Sequence, residues 1–226
     1  MIKNIFIGGA FIGAVLLTFW TFSSTPICAN AISCTRDLSG KYNSTQTTGE
    51  YLGQKIAVPE NFFIYRESNI LGITTSPKPK KILVDLTAQK LYAYEGNSQK
   101  FEFTISSGRS NPTPTGKFYI WAKLYATQME GGEKANKTYY RFPNVPYTMY
   151  FYNENVGKWN GYGLHGIYWD TRLGQPITNG CIGLRVEDAE KLFYWTDPQP
   201  LDTVTFAAND ASSTPIIIFG KAPLVL

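Results

Sequence analysis

From Ile82 onward the chain carries a period of two: Ile82, Val84 and Leu86 alternate with Leu83 and Asp85. That spacing puts alternate side chains on one face of an extended strand and is incompatible with an amphipathic helix. Lys90-Leu91-Tyr92-Ala93-Tyr94 follows, rich in strand formers, and Glu95-Gly96-Asn97 supplies a turn. Phe101, Phe103 and Ile105 then alternate again, so the region reads as a β-meander. Twenty Gly, thirteen Pro and fifteen Tyr agree with a turn-rich β protein. Charged residues make up 17% of the chain. An average soluble domain has about 25%, so charge-driven disorder is excluded.

Downstream, Pro112-Thr113-Pro114-Thr115-Gly116 is a rigid turn that feeds a strand from Lys117 to Trp121. Thr127 to Tyr140 is rich in Gly, Glu and Lys and predicts a flap-like excursion from the sheet. A further strand is expected over Tyr147 to Tyr152, and a last apolar one over Thr214 to Phe219. The one clear helix is Val186 to Trp195. Ala189, Leu192 and Phe193 recur there at helical spacing, with Glu187 and Asp188 in the first turn. The expected fold is mostly β with one main helix.

Residues 1–31 read as a targeting segment rather than as part of the fold. Lys3 is a small positive region, Ile5 to Phe22 is uncharged and apolar, and Ala29-Asn30-Ala31 matches a signal peptidase site. The segment is either a cleaved signal peptide or an uncleaved membrane anchor, because the apolar stretch is at the edge of bilayer-spanning length. Both readings export the rest of the chain. Residues 32–79 read as a poorly regular extension and linker, with a short apolar patch at Asn61 to Tyr65. Residues 80–220 form the main domain, and 221–226 a short tail.

Charge and rare residues narrow the chemistry. The net charge of +4 is mild and no long basic run is present, which disfavours dedicated nucleic-acid binding. With one His and three Cys, a zinc site built from those residues would consume all of them. A metal site built from His and Cys is therefore not expected. Any imidazole chemistry runs through His165. If the leader is removed, Cys34 and Cys181 are the remaining thiols, and a bridge between them is possible only if Cys181 is not needed as a thiol.

Two glycine-flanked segments bring His165 and Cys181 close together in sequence: Tyr162-Gly163-Leu164-His165-Gly166 and Thr178-Asn179-Gly180-Cys181-Ile182. A thiolate is a strong nucleophile once a neighbouring base takes its proton. Two loop ends joined by the Gly174-Gln175-Pro176 turn would bring the pair together. The backbone amides of Asn179, Gly180 and Cys181 are then placed to hold an oxyanion. The aromatic run from Tyr139 to Trp169 is either a groove or ordinary sheet core.

The segment from His165 to Cys181 resembles the catalytic motif of the YkuD-type L,D-transpeptidases: a His-Gly, a spacer, then Ser/Thr-His-Gly-Cys and a hydrophobic residue. The resemblance extends through Ile82 to Leu86, Gln89 to Tyr92, Ser107-Gly108, Pro112 to Phe118, Tyr147 to Phe151 and Glu187-Asp188-Ala189. It implies an L,D-transpeptidase-like β-sandwich. It implies Cys181 as the nucleophile on a peptidoglycan stem tetrapeptide, His165 as the base, and the Gly166 carbonyl as the group that orients the imidazole. The expected product is a 3→3 cross-link, and carbapenem β-lactams are expected to acylate the thiol. The acyl transfer so implied needs no metal or organic cofactor. Tyr150, Tyr162, Thr178 and Trp169 are the expected substrate-binding residues. Asn179 stands where the family usually has a second His, and Gly183 where it usually has Arg or Asn. The alternatives are an L,D-carboxypeptidase or other wall cysteine peptidase, and a degenerate wall-binding module.

Overall fold

The computed structural model describes residues 37–60, 78–109 and 112–224. The leader segment, the Asn61 to Tyr65 patch, Cys28 and Cys34 lie outside the described residues. The chain forms β1 (Thr48–Tyr51), β2 (Gln54–Ala57), β3 (Lys80–Asp85), β4 (Lys90–Glu95), β5 (Ser98–Thr104), β6 (Gly116–Gly131) and β7 (Tyr140–Tyr152). It continues with β8 (Gly163–Ile167), β9 (Ile182–Arg185), α1 (Val186–Trp195), β10 (Val204–Phe206) and β11 (Pro215–Phe219). All strands join one unclosed sheet, ordered β2-β1-β7-β6-β11-β3-β4-β5, with β10 on β6 and the β8–β9 pair branching from β7.

The expected meander is β3, β4 and β5, antiparallel in sequence order. Ile82, Val84 and Leu86 are buried, as the period of two requires. They share one core with Phe118, Ile120, Tyr147, Met149, Phe151, Leu164, Ile182 and Leu184. Side chains from β3 and from β8–β9 thus meet across the same interior, so the sheet folds over into two facing layers. Helix α1 covers that core with Ala189, Leu192 and Phe193, the three positions its spacing marked.

The polar excursion expected from Thr127 begins later than its composition suggests. Strand β6 continues to Gly131 and β7 starts at Tyr140, so the two form one long ribbon with a short polar tip. A bulge between Ile120 and Ala122 explains how this ribbon serves two cores. One inserted residue exchanges the two faces of a strand. Phe118 and Ile120 accordingly face the first core, while Ala122 and Leu124 face a second with Trp121, Met129, Phe142, Val145 and Tyr150.

Residues read as irregular, Ser39 to Gly53, carry β1, which pairs with β2 and with β7. This hairpin has no apolar alternation of its own, and its strand state comes from the partner. Arg141 on β7 donates to Gln46 Oε1 at 2.9 Å and to the Thr48 carbonyl at 3.0 Å. The Asn144 amide exchanges two bonds of 2.9 Å with the Asn43 backbone.

The end of α1 is held from inside the sheet. Lys123 on β6 is fully buried and its ammonium donates to the carbonyls of Phe193, Thr196 and Pro198, the last two at 2.8 Å. Burial pushes the Lys123 pKa well below the ordinary lysine value, but three carbonyl acceptors call for three N–H donors, which only the protonated amine supplies, at the helix end where carbonyls are left unbonded. Lys123→Met keeps the apolar stem and removes this donor. It is expected to destabilise the fold by about 2–4 kcal/mol. The check is a lower midpoint of urea unfolding with an unchanged slope.

Candidate active site

Strands β8 and β9 pair in parallel, with His165 opposite Gly183. Residues two apart on a strand share a face, so Cys181, two before Gly183, lies on the His165 side. His165 is therefore mid-strand, and Cys181 immediately precedes a strand. This corrects the expectation of two loop ends brought together by a turn. The glycines that lower strand propensity here sit where a Cβ would press on a neighbouring side chain. A Cβ on Gly166 would stand 2.9 Å from Pro146 Cγ, and one on Gly183 would stand 2.0 Å from Ile167 Cδ1. At position 183 the Ile167 side chain takes the space that a longer residue would need.

The turn before Cys181 is pinned on several sides. Gly180 has φ +110°, a conformation that favours glycine. Thr178 Oγ1 donates to the Cys181 carbonyl at 2.6 Å and accepts the Gly180 N–H at 3.2 Å. Thr113 Oγ1 donates to the Gly180 carbonyl and accepts the Gly108 N–H, both at 2.9 Å. Thr178 N–H donates to the Ser107 carbonyl at 3.0 Å, and Ser106 and Gly183 exchange two backbone bonds. The buried Gln89 amide holds Ser107 in turn, through its N–H at 3.0 Å and its hydroxyl at 2.8 Å. The Gln89, Ser107-Gly108 and Pro112 to Gly116 segments thus form the frame of the cysteine turn. Of the three amides expected to face an oxyanion, that of Gly180 is already engaged by Thr178.

His165 and Cys181 are 2% and 3% exposed, at the base of one pocket. His165 Nδ1 lies 3.1 Å from the Gly166 carbonyl. A carbonyl only accepts, so Nδ1 carries the proton of the neutral ring and Nε2 keeps its lone pair. Burial lowers the imidazole pKa to about 4 against the opposing bond to Gly166, so the ring is neutral near pH 7. Trp169 stacks on the imidazole at 5.7 Å between centroids and on Phe142 at 3.7 Å. Among the described residues Cys181 forms no disulfide, and its Sγ donates to the Gly161 carbonyl at 3.7 Å.

The pocket encloses about 400 Å³, open to solvent included. Thr178 and Trp169 line it, as do Tyr51, Tyr140, Phe142 and Asn179. Tyr150 and Tyr162, expected beside them, lie in the two cores instead. Tyr150 stacks on Trp121, and Tyr162 stacks on Phe151. The aromatic run therefore splits: Tyr140, Phe142 and Trp169 line the groove, while much of the remainder is core. Asn179 hydrogen-bonds the Tyr140 hydroxyl. Burial above all holds both Tyr140 and Tyr150 above the ordinary tyrosine pKa, so both stay neutral. Tyr51 was invisible in the sequence because it sits in the Ser/Thr/Gly-rich extension. Tyr140 carried only the general signal of the aromatic run.

Compared with known families, residues 79–218 match YkuD, the L,D-transpeptidase catalytic domain. The chain belongs to this family. No curated protein is similar enough in sequence to count as a relative. Among solved structures, an L,D-transpeptidase from Mycobacterium smegmatis superposes with a TM-score of 0.50 at 19% identity, over 63% of this chain and 59% of that one. An L,D-transpeptidase from Mycobacterium tuberculosis gives 0.47 at 20% identity, over 63% and 58%. The catalytic domain of the E. faecium L,D-transpeptidase, acylated by ertapenem, gives 0.46 at 26% identity, over 64% and 99%. The chain thus spans about three-fifths of the length of the two mycobacterial proteins. His165, Cys181 and the frame of the cysteine turn all lie within the L,D-transpeptidase match, whereas Tyr51 lies before it. Among the described residues no helix is long and apolar enough to cross a membrane, and no cluster of His, Cys, Asp and Glu is set to hold a metal ion.

The depressed pKa of His165 has a consequence for stability. Below about pH 6.5 the unfolded imidazole takes up a proton that the folded one refuses until about pH 4. Stability from this group is complete above that window and is lost as pH falls through it, by roughly 3 kcal/mol. Urea unfolding at pH 7, 5.5 and 4.5 should show a steeper loss for the native sequence than for His165→Gln. Equal slopes would contradict the assignment.

Proposed function

We propose that this protein is a peptidoglycan L,D-transpeptidase that forms 3→3 stem-peptide cross-links through a Cys181 thioester. One observation carries the reading. Within the family's matched span, the only histidine and the buried Cys181 line one pocket, and the imidazole is neutral with its Nδ1–H tied to the Gly166 carbonyl. That leaves Nε2 as the base.

In the first half-reaction the thiol gives its proton to His165 Nε2, and Sγ attacks the carbonyl between the third and fourth stem residues. Negative charge develops on the carbonyl oxygen. The amides of Asn179 and Cys181 are the candidates to receive it, since that of Gly180 is held by Thr178. The C–N bond breaks, His165 returns the proton to the departing D-amino acid, and a thioester remains. In the second half-reaction His165 deprotonates the side-chain amine of another stem. That amine displaces the thiolate and closes the cross-link. Water in place of the amine gives the L,D-carboxypeptidase reaction.

The imidazole is oriented by a backbone carbonyl here, where other triads use a carboxylate or amide side chain. The substrate is an extracytoplasmic wall polymer, which agrees with the leader expected at residues 1–31, cleaved or retained as an anchor. Carbapenems present a strained carbonyl to the same thiol and are proposed as covalent inhibitors.

The test is incubation of the protein with a donor tetrapeptide stem and an amine acceptor stem, followed by mass analysis. A cross-linked dimer with release of the terminal D-amino acid is expected, whereas free tripeptide alone would assign the hydrolase. Cys181→Ala should form neither product, and His165→Ala should be slower by about 10²–10⁴-fold. Full product formation by Cys181→Ala would refute the mechanism.

A further inference from the structure

Tyr51 belongs to the N-terminal hairpin, outside residues 79–218, yet it lines the same pocket as His165 and Cys181. Backbone pairing fixes its place. Strand β1 runs antiparallel to β7 with Tyr51 opposite Tyr140, and the Leu52 N–H donates to the Tyr139 carbonyl at 3.1 Å. The stretch ahead of β1 is tied to β7 through Arg141 and Asn144. Opposed residues of a ladder point to the same side, and Phe142, two residues past Tyr140, shares that side. The Tyr51 ring accordingly lies 5.5 Å from the Phe142 ring. Phe142 stacks on Trp169 at 3.7 Å, and Trp169 on His165 at 5.7 Å. An unbroken series of rings therefore runs from the hairpin to the imidazole.

The rings differ in what a ligand can reach. Tyr140 and Phe142 are 4% and 5% exposed, and they stack on each other. Tyr51 and Trp169 are only half-buried. They are the two aromatic walls of the pocket that keep ring surface for a ligand. Trp169 is steadied by the turn that follows it, where Asp170 pairs with Arg172 at 2.6 Å. The remaining walls include Met129, Ile167 and Ile177, and the lining contains no Lys, Arg, Asp or Glu. A peptide in this cleft is held mainly by apolar contact with its backbone planes and aliphatic carbons, and large rigid rings dominate such contact.

We propose, on the reading of the pocket as a donor-peptide site, that Tyr51 is a substrate-binding residue whose ring, with that of Trp169, walls the cleft for the donor peptide beside the scissile bond. Tyr51 makes and breaks no bond, so its contribution is to affinity and placement rather than to the chemical step. The segment before residue 79 thus supplies part of the recognition surface, and residues 79–218 by themselves lack one wall of it.

The experiment measures binding of a donor tetrapeptide to the full-length Cys181→Ala protein by calorimetry, with Tyr51 native or changed to Phe, Leu or Ala. Tyr51→Ala should weaken binding roughly 5- to 30-fold. Tyr51→Leu should weaken it less, and Tyr51→Phe should keep most of the affinity, because the ring and not the hydroxyl makes the contact. In the protein with its thiol intact, Tyr51→Ala should raise KM by a similar factor and change kcat far less. Urea unfolding with an unchanged slope shows that the variant keeps its fold. If Tyr51→Ala fails that check, Tyr51→Leu carries the same comparison. Unchanged binding on loss of the ring, a fall in kcat with KM unmoved, Tyr51→Phe as weak as Tyr51→Ala, or no donor binding at all would overturn the inference. Turnover with a KM indifferent to residue 51 refutes the wall and keeps the transpeptidase. No turnover, with donor binding lost in Tyr51→Ala and kept in Tyr51→Phe, refutes the transpeptidase and keeps the wall.

Discussion

The parallel pairing of β8 with β9, in the register that sets His165 against Gly183, is the constraint on which the site depends. Parallel strands cannot be joined by a tight hairpin, so the chain between them makes an excursion that carries Trp169, the Asp170–Arg172 pair and Thr178. A slip of one residue would turn His165 and Cys181 to opposite faces. The register is protected by sterics and by hydrogen bonds together. Ile167 fills the space beside Gly183, and Ser106 bonds both backbone groups of Gly183 from the other side. The placement of the only histidine and a buried thiol in one pocket thus follows from backbone order rather than from a flexible loop.

The remaining architecture holds that register in place. Bulges in β6 let one ribbon present apolar residues to two cores, one under α1 and one under the pocket. The first core seats β8 and β9 against α1, whose end is fastened by Lys123. The second carries Phe142, on which Trp169 stacks before it reaches the His165 ring. Burial of the imidazole is thus a product of packing, and that burial keeps the ring neutral near pH 7.

Much of this was legible in the sequence where one face of an element is buried and the other is not. Ile82, Val84 and Leu86 declare β3 in that way, and Ala189, Leu192 and Phe193 declare α1. His165 and Cys181 were legible through rarity and flanking glycines, and through resemblance to the L,D-transpeptidases. Strands β8 and β9 were not, because Gly163, Gly166 and Gly183 weaken the strand pattern for the sake of close packing. The β1–β2 hairpin was hidden because β7 imposes its strand state. Tyr150 and Tyr162 were misplaced because aromatic residues on a strand with two buried faces give no sign of which face meets the groove. Tyr51 belongs to the pocket only through tertiary pairing, which no local pattern encodes.

The central claim is that Cys181 is an activated thiol in a formed acyl-transfer site with His165 as its base. The most direct measurement is the intact mass of the purified protein after incubation with a carbapenem. The account predicts one covalent adduct, mapped to Cys181, absent from Cys181→Ala and sharply reduced in His165→Ala. A folded protein with unoxidised Cys181 that forms no adduct, or an adduct that persists in Cys181→Ala, would contradict it.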